Sequence, residues 1–161
     1  MTQEILDVGW AEWIAIPELG IPYVAAKIDT GARTSCLHTF CVEPFMKDGE
    51  NWLRFGLHPI KGNSEVEIWR ELKALEQRNV TDSGGHTEER WVVEVDLSIG
   101  GNTYRAEMTL TNRDNMAYRM LLGRTAMKDV IRVNPGSKWL CGQPKLADRE
   151  QSHQVFAQED P

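Results

Sequence analysis

The run AKIDTGARTSCLHT, residues 26–39, sets Asp29, Thr30 and Gly31 directly after an apolar stretch. A carboxylate on a loop that follows a buried strand can act as a general base when its pKa is tuned. Two such carboxylates brought face to face cannot both ionise, so they share a proton. One then activates a water while the other protonates a substrate carbonyl. The Thr30 hydroxyl is placed to lock two loops together by hydrogen bonds, and Gly31 lets two backbones approach closely. An ordinary turn accounts for the same three residues, so the surrounding elements must decide between the two readings.

Ile21–Ile28 (IPYVAAKI) is apolar and β-branched, and reads as a strand buried on both faces that ends at Asp29. Residues 9–16 read as a strand stopped by Pro17, and residues 52–57 as another closed by Pro59. In RWVVEVDLSI, the odd-numbered residues Trp91 to Ile99 alternate with Val92, Glu94, Asp96 and Ser98. Gly100-Gly101-Asn102 then supplies a tight turn, and Tyr104, Ala106, Met108 and Leu110 alternate again, which predicts an antiparallel hairpin. Met120-Leu121-Leu122-Gly123 is a short apolar run, Arg124–Val130 suits a short helix, and residues 131–133 suit a last strand before Pro135. Over residues 65–80, Ile68, Leu72 and Leu75 fall at helical spacing.

The chain has 161 residues, 41% hydrophobic and 26% charged, enough for one domain with one core. We expect that domain over residues 1–143 and a polar, flexible tail over residues 144–161. The net charge is −6 with no lysine or arginine block, so a nucleic-acid role has no electrostatic support. The N-terminus carries early acids and no long apolar run, which fits neither a signal peptide nor a membrane span. Three cysteines make no disulfide framework, so the cytoplasm is the expected compartment.

Taken jointly, AKIDTGARTSCL and MLLGR resemble the retropepsin-like aspartic peptidases. In these an apolar-Asp-Thr-Gly-Ala loop is paired with a later apolar-apolar-Gly segment and a short helix. Gly9-Trp10, GARTSCLHT, SGGHTEERWVVE, TLTNRDNM and MLLGRTAM extend the match over residues 8–136, and they resemble one bacterial branch most closely. That branch was long labelled an ATP-dependent zinc protease and is associated with the ATP-grasp ligase that adds glutamates to a ribosomal protein.

The resemblance implies a mainly β protein, a closed β-barrel of the retropepsin-like acid protease type with one short C-terminal helix. It implies Asp29 as the catalytic aspartate, Thr30 as the interlocking hydroxyl, and Gly31 and Ala32 as the shapers of a loop that binds substrate backbone. Leu121, Leu122 and Gly123 would support the loop from below. In viral retropepsins an aspartate follows the Asp-Thr-Gly-Ala run and pairs with the arginine of the Gly-Arg element. Here Arg33 stands in that place, so Arg124 needs another partner; Arg33 reads either as a ligand for a carboxylate of an acidic substrate or as a solvent-exposed arginine.

Asp82-Ser83-Gly84 is a possible second catalytic motif. Only 53 residues separate Asp29 from Asp82, too few for two lobes, and there is one apolar-apolar-Gly segment. A homodimer that contributes one Asp29 from each chain is simpler. The Asp82-Ser83-Gly84 run then becomes a loop or flap turn in which Gly84 and Gly85 meet the substrate. The resemblance also favours strand over helix for residues 70–80, and an insertion around residues 59–85. Arg90, Arg113, Asp114 and Arg119 lie in segments typical of the branch. Each singly reads as an exposed loop charge; together they could form a surface for the acidic substrate or a partner.

No HExxH and no GxxxxGK[ST] stretch is present, so no metal and no bound nucleotide is expected. Cys36, His38 and Cys41, with Cys141 as a fourth, lack the tight pairing of structural zinc sites and read more plainly as buried cysteines and a polar-face histidine. His58, His86 and His153 are scattered. The leading expectation is an aspartic endopeptidase acting on a peptide or protein, with the glutamate ligase as a partner. A non-catalytic regulatory module of the same fold and a zinc-dependent peptidase are its rivals.

Overall fold

The computed structural model describes residues 4–58, 65, 67–81, 84–112 and 118–142. The expected tail, Asp82, Ser83, Arg113, Asp114 and His153 lie outside these residues.

The strands follow in chain order as β1 (Leu6–Val8), β2 (Ala11–Ile16), β3 (Ile21–Ile28), β4 (Ser35–His38), β5 (Cys41–Lys47), β6 (Glu50–Leu57), β7 (Ile68–Lys73), β8 (Glu76–Thr81), β9 (Thr87–Ile99), β10 (Asn102–Thr111), β11 (Met120–Leu122) and β12 (Ile131–Val133). A single helical turn, α1 (Arg124–Met127), lies between the last two strands. The protein is therefore mainly β, as its alternating apolar pattern predicts.

Pairing runs β10–β4–β11–β3–β2–β9, and β9 pairs with β10 again, so the strand pairings form a ring. β8 extends the ring from β9. β5, β6 and β7 make a separate three-stranded sheet, and β1 pairs in parallel with β12. The two larger sheets share one core, in which Leu53, Phe55, Leu57 and Ile68 of the smaller sheet cluster with Val24, Leu37, Val95, Leu97, Met108 and Leu122 of the ring.

The β9–β10 hairpin has the expected register, with Asn102 opposite Ile99 and Tyr104 opposite Leu97. Val93, Val95, Leu97 and Ile99 are buried and Glu94 is exposed. Val92 departs from the alternation and is fully buried. It lies where β9 is paired on both edges, opposite Thr109 of β10 and Glu76 of β8.

The helical spacing of residues 65–80 does not produce a helix. β7 and β8 occupy the segment, joined by Ala74 and Leu75. A spacing of four is two strand repeats as well as one helical turn, so Ile68 and Leu72 share a strand face equally well. That face packs on β6, where Ile68 opposes Leu57 and Leu72 opposes Leu53. The helix expected over residues 124–130 is shorter, because Lys128 leaves helical geometry and Asp129 takes a positive φ of 67° to turn the chain into β12.

A buried acid sits at the start of β2, beside the end of β3. Glu12 is fully buried in β2. Its carboxylate accepts the Gly9 N–H at 2.6 Å, the Leu140 N–H at 3.0 Å and the Cys141 N–H at 3.1 Å. The chain after β12 is thereby fastened across the start of β2, and Trp139 stacks on Trp13 at 5.3 Å.

Burial, and then the Glu12 carboxylate, push the Cys141 thiol up to about 11 from an ordinary 9.0. Ionisation is thus easier in the unfolded chain than in the folded one. The stability this thiol contributes is complete below pH 9 and is lost as pH rises toward 11. Cys141→Ser should therefore flatten part of the fall in denaturation midpoint across that window. A fall of the same slope in both proteins would refute the assignment.

Candidate active site

The site is built where β3 ends. β11 lies between β3 and β4, parallel to the first and antiparallel to the second. Leu122 pairs with Ile28, and the Leu122 carbonyl accepts the Asp29 N–H at 2.9 Å. Leu122 is buried, and Leu121 is half-buried beside Lys27 and Cys36.

The loop that follows is tied at every step. Gly31 N–H donates to Asp29 Oδ1 at 2.9 Å, and Ala32 N–H to the Asp29 carbonyl at 3.3 Å. Arg124 N–H donates to the Ala32 carbonyl at 2.7 Å, and Thr125 N–H to the Arg33 carbonyl at 2.9 Å. Arg124 has the other partner its sequence context requires, since its guanidinium donates to the Thr30 carbonyl at 3.0 Å.

Gly123 is needed for close approach. A Cβ there would meet the Thr34 carbonyl carbon at 2.5 Å and the Ser35 nitrogen at 2.8 Å. Its N–H donates to Ser35 Oγ at 3.0 Å. Ser35 is fully buried, and sequence reasoning missed it. A serine at the head of a buried strand, six residues past the aspartate, was the available signal.

Asp29 is half-buried, whereas Thr30, Gly31 and Arg33 are exposed. The chain therefore presents one carboxylate on a rigid, outward-facing loop. Gly84 and Gly85 are exposed at the turn between β8 and β9, and Gly85 takes a φ of 84°.

Three expectations are corrected. His38 is not on a polar face; it is 2% exposed on β4. Cys36 is buried, but Cys41 is only half-buried on the next strand, and among the described residues no group of three His, Cys, Asp or Glu side chains converges as a metal site. Arg90 and Arg119 are each 8% exposed, so neither is the exposed loop charge that its sequence context suggests, and neither lines an open surface.

The profile of the RimB-like family, described as the retropepsin-like aspartic endopeptidase RimB, matches residues 7–144. The chain belongs to this family. Among curated relatives of this RimB-like chain, a protein of Shewanella pealeana named a probable alpha-L-glutamate ligase is 41% identical over 155 residues, covering 96% of this chain and 34% of that protein. One of the same name from Parasynechococcus marenigrum is 46% identical over 135 residues, covering 84% and 29%. The RimB-like chain thus spans about a third of the length of the curated relatives it matches. A crystal structure of a Legionella pneumophila protein of unknown function has the same fold, with a TM-score of 0.70 at 24% identity over 84% of this chain and 98% of that one.

Proposed function

We propose that this RimB-like chain is an aspartic endopeptidase that works as a homodimer, its ring closed as a barrel in each protomer. Two Asp29 carboxylates meet on the two-fold axis and share a proton. One takes a proton from the attacking water as the other protonates the scissile carbonyl. Thr30 locks the two loops, while Gly31, Ala32 and the Gly84-Gly85 turn hold the substrate backbone.

The observation that carries this reading is the loop itself. Backbone bonds from Leu122 and Arg124 fix Asp29 in a half-exposed position, and the described residues of a single chain supply one such loop.

The local charge supports an acidic peptide as substrate. Around the site, residues 26–40 and 118–130 carry exposed Lys27, Arg33, Arg124 and Lys128 beside two acids, Asp29 and Asp129. This occurs in a chain whose net charge is −6. Arg33 would grip a substrate carboxylate. The relatives named as glutamate ligases support a glutamate-bearing substrate and a ligase as partner.

The test is cleavage of two peptide pools, one glutamate-rich and one apolar, each with and without a chelator. Faster cleavage of the glutamate-rich pool is expected, and specific activity should rise with protein concentration as dimers form. No cleavage at any concentration favours the non-catalytic module, and activity lost only with the chelator favours a metal peptidase.

A further inference from the structure

Arg90 stands at a junction. β9 pairs with β8 over Thr87–Val92, then with β10 from Val92 to Ile99. The β8–β9 hairpin is exposed at residues 84–89, and Arg90 is its first buried side chain. The guanidinium reaches across to β4, where Nη1 lies 3.7 Å from Cys36 Sγ. Its Nε lies 3.5 Å from the Glu88 carboxylate. Glu88 in turn accepts the Thr111 hydroxyl of β10 at 3.1 Å.

Glu88 and Arg90 share one face of β9, so both bridges fall on the same side of the hairpin root. They fall on strands that carry the site. β4 begins at Ser35, which holds Gly123, and Cys36 is the next residue. Thr111 opposes His38 at the other end of β4.

We propose that Arg90 is a positioning residue, which through Cys36 and through Glu88 and Thr111 fixes the angle of the β8–β9 hairpin against β4 and hence against the Asp29 loop. The kinetic consequence rests on the peptidase reading; the mechanical one does not. An arginine suits the task, because a planar fork spans two partners that a flexible ammonium would hold less well.

The test is amide hydrogen exchange on full-length Arg90→Met, Arg90→Lys and Glu88→Gln. In Arg90→Met, exchange should rise about tenfold over residues 76–90, with β3 and residues 104–110 unchanged. Arg90→Lys should fall between Arg90→Met and wild type. If Arg90→Met does not fold, the other two variants decide. Unchanged exchange in the hairpin overturns the proposal, and so does an equal rise everywhere, which marks a general stabiliser. In the cleavage assay, KM should rise about tenfold while kcat changes by less than about threefold. An unchanged KM with a loosened hairpin also overturns the link to the site. If the wild type cleaves nothing, the peptidase reading fails and exchange alone judges the hinge.

Discussion

Asp29→Asn should lower peptide cleavage by about 10³-fold or more and leave the fold unchanged. The asparagine keeps an oxygen where Asp29 Oδ1 accepts the Gly31 N–H, so the loop retains its tie. The side chain is half-exposed, and the bonds that hold the loop come from residues 122–125, through their backbone groups and the Arg124 guanidinium. Only the proton chemistry is removed, because an amide can neither take a proton from water nor share one with a second carboxylate. Thermal midpoints of the two proteins should therefore agree while rates do not. Mixing gives a sharper test. When wild type and variant exchange subunits in equal amounts, about one quarter of the dimers carry two aspartates. Activity per total protein should fall to about a quarter of wild type, whereas independent active monomers would give about half. Equal cleavage by both pure proteins would point to another catalytic group.

Glu12→Gln should cost about 3 kcal/mol of stability, because hydrogen bonds to a buried charged group contribute more than neutral ones. The carboxylate takes three backbone donors with two oxygens. The amide offers one oxygen and turns an N–H₂ group toward at least one of those donors, which leaves a buried N–H without its acceptor. For a domain of this size the midpoint should drop by roughly 6–12 °C. Urea denaturation with an unchanged slope is the measurement. A loss under about 0.5 kcal/mol would mean that Glu12 does not clamp the chain.

The hairpin over residues 91–110 and the strand leading to Asp29 could be read from the sequence because strand periodicity and turn chemistry act locally. The pairing of the Asp29 loop with Leu122-Gly123 was legible only as a joint pattern, since neither segment identifies itself alone. Over residues 65–80 periodicity alone was ambiguous, because Ile68 and Leu72 satisfy the helical and strand periods together; the resemblance favoured strand over residues 70–80, and β7 and β8 are what the segment forms. Glu12, His38 and Arg90 were opaque for another reason. A charged or polar residue type predicts exposure, and only the tertiary arrangement supplies the donors, acceptors and neighbours that allow burial. Ser35 combines both difficulties, being small, unremarkable in type and paired with a glycine 88 positions away.

The insertion of β11 between β3 and β4 also sets a schedule. Asp29 leaves the ribosome long before Met120, and 91 residues separate them (120 − 29). At synthesis rates of about 5–20 residues per second, that interval lasts about 5–18 s. Throughout it the aspartate loop lacks the Leu122 and Arg124 bonds that shape it. Pairings of such long sequence separation also form late in folding. A nascent chain is therefore without an assembled site until nearly the whole described domain has been made.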